Sequence, residues 1–522
     1  MLGFSRIKSP ITFSEPNLNH SLSAGEVRTN GLIIPDLSFP PPRKPEELEH
    51  ATAGPDAPHI LAGRRELVMA CVSGGGARAA RLSAHVFALL EEEYNKSIKI
   101  HPAGQTPQGS PLAERISVWS TVSGGSVFAS TVASHLRDEG ARTNLFQHLR
   151  DGANPKWATK RLGGMAAVYY FWPANLAYAP IMQLLTEWDT RNLFARTLAV
   201  FQEGRLPLLP PSSLRKLGEL PQQPVFLFNA TCLENGRPFV FTRDILHKNL
   251  SDNGTLAMAN DPLVAWAKGE EAPDANYAEP LRFATTLEDL GSSAPRFPLV
   301  HAVMASAAFP GVFQPLVLTY FRPNGSSSTT ASGGKKDKPG WHRDGTVTVV
   351  DGGIYDNTGM ATGLEYYGSV RRAASPEKGP KLVLLAIDAG NEPQNPRAVT
   401  PGNHGPFHLD LPVRGLLPAA STFAKVYNNQ QSLVRAAIDQ RIRQLAANGS
   451  SIRIDFNLLR ATNLVEKLRK IPTDFVITDT EDRLLAEAAR VIVNQGRPEL
   501  GGKTPAEAFV EALNSPAETA KK

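Results

Sequence analysis

Apolar positions in this chain come in short runs bounded by turn-forming residues, not in one sustained repeat. Residues 67–72 form an unbroken apolar run ending in glycines, the pattern of a strand buried on both faces. A helical period follows over 79–94 (AARLSAHVFALLEEEY), then a strand over 116–120, a turn at Ser123-Gly124-Gly125, and an apolar helix over 126–136. Strands resume at 225–231 and 239–242, joined through Glu234-Asn235-Gly236, a hairpin signal. Residues 299–308 read as a helix that stops at Phe309-Pro310-Gly311. Two strands, 316–321 and 346–350, flank a Ser/Gly/Lys-rich stretch that reads as a flexible loop over 323–345. Another buried strand is expected at 381–387, and helices dominate after about 416. The alternation of strand, turn and helix argues a mostly parallel α/β sheet.

Composition sharpens the boundaries. The first 66 residues hold nine prolines and no sustained period, so they read as an irregular N-terminal arm. A catalytic-type α/β domain is expected over 67–400, with a mostly helical insertion over about 138–220. A mostly helical C-terminal part over 401–522 is expected to pack on that domain. With 42 Pro and 42 Gly in 522 residues the chain stays short of the bias of low-complexity proteins. Its net charge of +5 is mild and no dense basic block with interleaved aromatics occurs, which disfavours nucleic acid as the main partner. The two cysteines, Cys71 and Cys232, sit in apolar runs and read as buried thiols, with no disulfide framework or metal-ligand spacing. The N-terminus lacks the apolar core of a secretory signal.

Residues 162–186 carry no charge and are long enough to span a bilayer, yet they contain Pro173 and Pro180 and the cluster Tyr169, Tyr170, Phe171 and Trp172. Clustered aromatics suit an interface. A membrane-docking or lid segment, a buried helical hairpin and a spanning helix stay open, in that order.

Three glycine-bearing sites stand at predicted strand ends. In Ser73-Gly74-Gly75-Gly76-Ala77-Arg78-Ala79 consecutive glycines let backbone N–H groups converge on an anion at a helix N-terminus. A dinucleotide reading of the same loop is weak, because the acids Glu91, Glu92 and Glu93 follow Ala79 by only 12–14 residues, inside the predicted helix. In Thr121-Val122-Ser123-Gly124-Gly125 a serine on a sharp turn between strand and helix suits an exposed nucleophile, although Thr121 stands where the usual G-x-S-x-G has glycine. In Asp351-Gly352-Gly353 a carboxylate ends a β-branched run, either capping a turn or facing the strand-end crevice where open α/β sheets bind ligands. Together the sites supply donors for an oxyanion, a nucleophile and a base.

The order SGGGAR, TVSGGS and DGG, with NATCLENGRPFVFT and ASAAFPGVFQP between, resembles the patatin-like phospholipase family. The glycine loop is most similar to that of the cytosolic phospholipase A2 type. The resemblance covers roughly residues 67–390 and implies a three-layer α/β/α fold. It implies Ser123 as nucleophile and Asp351 as general base of a Ser–Asp dyad. Gly74, Gly75 and Gly76 would form the oxyanion hole, and Arg78 would help to hold a phosphate or developing charge. No metal or cofactor is implied. The expected substrate is a phospholipid or other acyl lipid, met at a membrane surface by a protein of the cytoplasm peripheral to membranes. Three departures from the family pattern are Thr121, Ala79 after the arginine, and Asn357-Thr358-Gly359 where Asn-x-Pro is usual. Two rivals remain: a Ser–His–Asp esterase using His404 or His408, the histidines after Asp351, and a non-catalytic lipid-binding scaffold on the same fold.

Overall fold

A computed structural model describes residues 27–29, 32–34, 61–100, 110–140, 144–151, 215–243, 284–309 except 291 and 293, 315–323, 341–374, 379–390, 418–471 except 448 and 450, 473, and 477–514. Two short strands, Val27–Thr29 (β1) and Leu32–Ile34 (β2), pair antiparallel with each other. The buried run after the arm becomes Glu66–Val72 (β3), followed by helix Gly76–Ile100 (α1). Next come Ile116–Val122 (β4), helix Gly124–Glu139 (α2) and helix Leu145–Asp151 (α3). Val225–Cys232 (β5), Pro238–Phe241 (β6) and Thr285–Thr286 (β7) precede helix Leu299–Ser306 (α4). Leu316–Pro323 (β8) and Trp341–Asp351 (β9) form a hairpin that leads into Gly353–Asp356 (α5) and Met360–Ala373 (α6). The chain continues through Lys381–Asp388 (β10), Pro418–Ala447 (α7), Ser451–Asn457 (β11), Asp479–Asn494 (α8) and Pro505–Asn514 (α9).

Strands β11, β10, β3, β4 and β5 lie side by side and parallel, in that order. Antiparallel pairing enters only beyond β5, through β6 and β9. The side-chain period of two sorts β3 between two apolar layers. Val68, Ala70 and Val72 face α1, α2, α8 and α9, while Leu67, Met69 and Cys71 face α6 and α7. The result is helices on both faces of a mostly parallel sheet, the α/β/α arrangement that the strand–turn–helix rhythm predicts. Within the first layer Trp119 of β4 packs on Phe87 of α1 with ring centroids 4.8 Å apart and stacks on Phe226 of β5 at 6.3 Å. This aromatic cluster fixes the sheet, and with it the end of β4, against the helices.

Two expectations change. The hairpin strands reach further than the periodicity indicates: β8 runs to Pro323 and β9 begins at Trp341, so residues 341–345 are strand and not loop. The C-terminal part is more than a helical layer packed on the sheet, because β11 pairs with β10 over seven positions, Leu382↔Ser451 to Asp388↔Asn457. Residues 162–186, most of the arm and most of the 138–220 insertion lie outside the described residues, as does 324–340. Among the described residues no helix is long and apolar enough to cross a membrane.

Candidate active site

The site is set by three strands meeting at β5. Residues 225–229 of β5 pair with β4, and residues 230–232 pair with β9. Phe228 pairs with both Thr121 and Phe241, and Ala230 with both Phe239 and Asp351, so β6 holds one edge of β5 while β4 and β9 share the other. Because β4 runs parallel to β5 and β9 antiparallel, their C-terminal ends arrive head-on. Val122 is opposite Asn229 and Asp351 is opposite the next residue, Ala230. Ser123, the residue after β4, therefore meets Asp351, the last of β9.

Ser123 has φ 51° and ψ −118° and is the one non-glycine residue with positive φ among the described residues. Such a conformation costs of order 1–3 kcal/mol and persists only where the surroundings impose it. Here the imposing contacts are visible. The chain turns from strand into α2 so sharply that a Cβ on Gly124 would lie 1.9 Å from the Gly76 carbonyl oxygen, and one on Gly125 2.6 Å from that of Val72. The Ser123 N–H donates to Ser306 Oγ at 3.0 Å, and Ser306 Oγ donates to the Asn229 carbonyl at 2.6 Å. Ser126 Oγ lies 2.9 Å from Ser306 Oγ, and Thr121 Oγ1 lies 3.0 Å from Ser126 Oγ. The hydroxyl of Thr121, at the position where the usual elbow has glycine, thus ends a buried hydroxyl chain that holds the turn. Ser123 itself stays half-buried between buried neighbours.

Asp351 is buried. Gly353 N–H donates to its Oδ1 at 2.7 Å, and both that donor and the neighbouring Ser123 side chain act to lower the carboxyl. Burial outweighs both and pushes the carboxyl up to about 7. Gly352 is required here by close approach, since a Cβ would lie 2.2 Å from the Asn229 carbonyl oxygen.

The glycine loop lies on the other side of Ser123. Ser73 anchors it: its N–H donates to the Ile387 carbonyl at 2.9 Å and its Oγ accepts from Ala389 N–H at 2.9 Å. Gly75 and Gly76 have φ 138° and 58°, values that an L side chain disfavours. Among the described residues neither donates its N–H to a protein acceptor, and Gly76 opens the 25-residue α1, where such amides point outward unpaired. Gly74 differs from the expectation. Its N–H is committed to the Asn357 carbonyl at 2.9 Å, so it is not an oxyanion donor. A Cβ at Gly74 would lie 2.3 Å from Asn357 Oδ1 and 3.3 Å from Ser123 Cβ, so glycine is needed there for room.

Residues 70–362, more than half of the 522, match the model of the patatin-like phospholipase family. No curated protein is matched by the chain. The chain belongs to the patatin-like phospholipase family. Patatin-like phospholipases are lipid acyl hydrolases, and the geometry can be compared with that chemistry residue by residue. Ser123, Asp351, Gly75 and Gly76 come together at one end of the sheet. Arg78 does not face the crevice as a phosphate ligand would. Its guanidinium is buried and donates from Nε to the Ala389 carbonyl at 2.9 Å, from Nη1 to the Ile471 carbonyl at 2.7 Å and from Nη2 to Thr473 Oγ1 at 2.9 Å. It ties the glycine loop to the C-terminal part. Gly359, in place of the usual proline of the patatin-like pattern, has φ 70°, which proline cannot adopt, and its carbonyl accepts from Ser120 Oγ at 2.6 Å.

Sequence reasoning missed Ser306, Asn229 and Asn357 as parts of the site. Ser306 and Asn229 lie inside the two linking motifs of the family pattern, yet nothing local gives them a task. Their partners are distant along the chain and are brought close only by the sheet. His85, by contrast, is accounted for away from the site: its Nε2 lies 3.0 Å from Asp482 Oδ1. His404 and His408 lie outside the described residues.

Proposed function

We propose that the protein hydrolyses fatty-acyl esters of phospholipids or lysophospholipids through an acyl-enzyme, with Ser123 as nucleophile and Asp351 as general base. The observation that carries this reading is the strained Ser123 next to a buried carboxylate raised to about 7, beside Gly75 and Gly76, whose N–H groups donate to no protein acceptor among the described residues. In the first step the Ser123 Oγ–H proton passes to Asp351 as the Oγ–carbon bond forms. The carbonyl π pair moves onto oxygen, and the N–H groups of Gly75 and Gly76 receive that charge, each such donor being worth about 2.7–4 kcal/mol. Collapse breaks the ester C–O bond, and the leaving alkoxide takes the proton from Asp351. Water then repeats the sequence on the acyl-enzyme, with Asp351 again accepting a proton, and releases the fatty acid and Ser123. An aspartate of ordinary acidity would be a feeble base, so the raised value matches the task. The substrate would be met at a membrane surface, the protein binding there peripherally.

Phospholipid vesicles assayed for released fatty acid test the proposal. Wild type is expected to turn over, while Ser123→Ala and Asp351→Asn each lose on the order of 1,000-fold or more in kcat. The wild-type rate should fall as pH drops through about 7, because the base must be ionised. A fluorophosphonate should label Ser123 and no other serine. Full activity in either variant would remove the dyad; activity that vanished only on replacing His404 or His408 would replace Asp351 by a histidine base.

A further inference from the structure

Gln431 lies on α7, well beyond the residues 70–362 that match the family. It is buried, and every polar atom of its amide is engaged with the loop after Asp351. Nε2 lies 2.8 Å from the Gly353 carbonyl oxygen and 3.1 Å from those of Ile354 and Tyr355. Oε1 accepts the Asn357 N–H at 3.0 Å. A one-turn helix such as α5 leaves these carbonyls without intrahelical partners, and the Gln431 amide takes their place. Two of the residues it holds are themselves bonded to Asp351 and to the glycine loop. Gly353 presents its N–H to Asp351 Oδ1 at 2.7 Å, and the Asn357 carbonyl accepts the Gly74 N–H at 2.9 Å. One side chain therefore connects to the carboxylate through a single residue and to the glycine loop through another.

We infer that Gln431 is a positioning residue for the proposed acyl transfer, fixing at once the base loop and the glycine loop that face Ser123. The inference rests on the function proposed above. The other bonds of the base loop run through its N–H groups and the Asp356 carboxylate: Tyr355 and Asp356 N–H donate to the Gly352 carbonyl, Tyr355 N–H also donates to Thr231 Oγ1 at 3.2 Å, and the Asp356 carboxylate accepts from Thr358 and Ala361. Without the Gln431 amide, the carbonyls of Gly353, Ile354 and Tyr355 and the Asn357 N–H all lose a hydrogen bond together, a loss that a loop this short relieves by shifting. Shifting Gly353 weakens its bond to the ionised Asp351, and losing a donor to the charged form raises a carboxyl further. The same shift moves Asn357 and, through it, Gly74 and the amides that follow.

The test compares full-length wild type with Gln431→Ala, Gln431→Glu and Leu433→Ser. Leu433 is 73% exposed on the same helix and serves as the control. Gln431→Glu retains the acceptor for Asn357 N–H but replaces the donor with oxygen that repels the three carbonyls. Hydrolysis of a p-nitrophenyl fatty-acyl ester is expected to show kcat lowered about 10-fold or more in both Gln431 variants, with KM within about 2-fold. The acid limb of the pH–rate profile should move to higher pH, and Leu433→Ser should match wild type. Amide hydrogen exchange should quicken in two separate stretches, 353–357 and 74–77, in both Gln431 variants. Unchanged kcat and pH profile, or faster exchange confined to α7, would overturn the inference. Should Gln431→Ala not fold, the same readouts on Gln431→Glu decide. A wild type that fails to cleave any acyl ester would strike down the proposed function instead, and the exchange of the two stretches would still decide the coupling.

Discussion

A carboxyl group raised to about 7 by burial is a cost that the folded chain bears for its reactivity. An unfolded aspartate titrates near 3.9, so between about pH 4 and pH 7 the native state binds a proton that the unfolded state has released. The sign follows: the folded state loses stability as pH rises through this window, and above about 7 the whole penalty is present. Asp351→Asn removes that penalty while retaining an oxygen for the Gly353 N–H and a nitrogen facing Ser123. We expect it to unfold at a higher temperature than wild type at pH 8, with the gain clearly smaller at pH 5 and gone only near pH 4. Calorimetry at the two pH values checks this; an unchanged or lower midpoint at pH 8 would mean that burial does not penalise the ionised form. At this scale the sequence is readable where a residue acts on its immediate neighbours. Ser123, Asp351, Gly75 and Gly76 stand beside strand ends that the apolar runs mark, and glycine has a recognisable purpose at a tight turn. Arg78 and Gly74 were not readable, for a definite reason. An arginine two residues past a glycine loop looks like an anion ligand until its partners, Ala389, Ile471 and Thr473, are folded against it.

Among the elements, α8 shows how the C-terminal part is attached. Its N-terminus carries a reciprocal cap between Thr478 and Glu481, and Asp482 one residue later receives Arg81 Nε at 2.7 Å and Nη2 at 3.0 Å from α1. Burial acts to raise the Asp482 carboxyl, but the hydrogen bonds from His85 and Arg81 and the charge of Arg81 outweigh it and hold the group well below the usual range. A depressed carboxyl contributes stability above its unfolded pKa and loses it as pH falls toward the folded value. Asp482→Ala should cost about 2–4 kcal/mol at pH 7, since it leaves the buried Arg81 without its partner. The difference from wild type should begin to shrink below about pH 4 and go on shrinking as pH falls toward the depressed folded value. Equilibrium denaturation at pH 7 and pH 3.5 measures both numbers; equal losses at the two pH values would contradict the assignment. The elements themselves were largely legible, β11 excepted. Its sequence, Ser-Ile-Arg-Ile-Asp-Phe-Asn, does alternate with the period of a strand, but it lies between two long helical patterns that mask so short a signal.

For the whole molecule, the match to the family ends at residue 362, yet the sheet does not. β10 is paired on both sides, by β3 and by β11, and its Leu382, Val383, Leu384 and Leu385 are all fully buried. A chain cut after residue 400 would present this strand as an open apolar edge and strip α7, α8 and α9 from both layers of the core. Such a fragment is expected to aggregate and not to elute as a monomer on gel filtration; a soluble, folded, active fragment would show that the family domain is self-sufficient. Sequence alone suggested a catalytic domain with a helical addition, because helical patterns dominate after about residue 416 and tertiary strand pairing leaves no trace in them. One further consequence comes from the head-on arrangement of β4 and β9 against one edge of β5. Strand positions advance in steps of about 3.4 Å and alternate between faces. The separation of Ser123 from Asp351 is therefore a stepped quantity: a slip of one residue in β9 turns the carboxylate to the opposite face, and a slip of two carries it about 7 Å away. Gradual drift in that distance is closed to this architecture, so changes in chain length around the hairpin must be taken up away from the site, as at the register shift where Tyr320 pairs with Gly345 and Phe321 with Arg343, leaving Asp344 as an extra residue in β9.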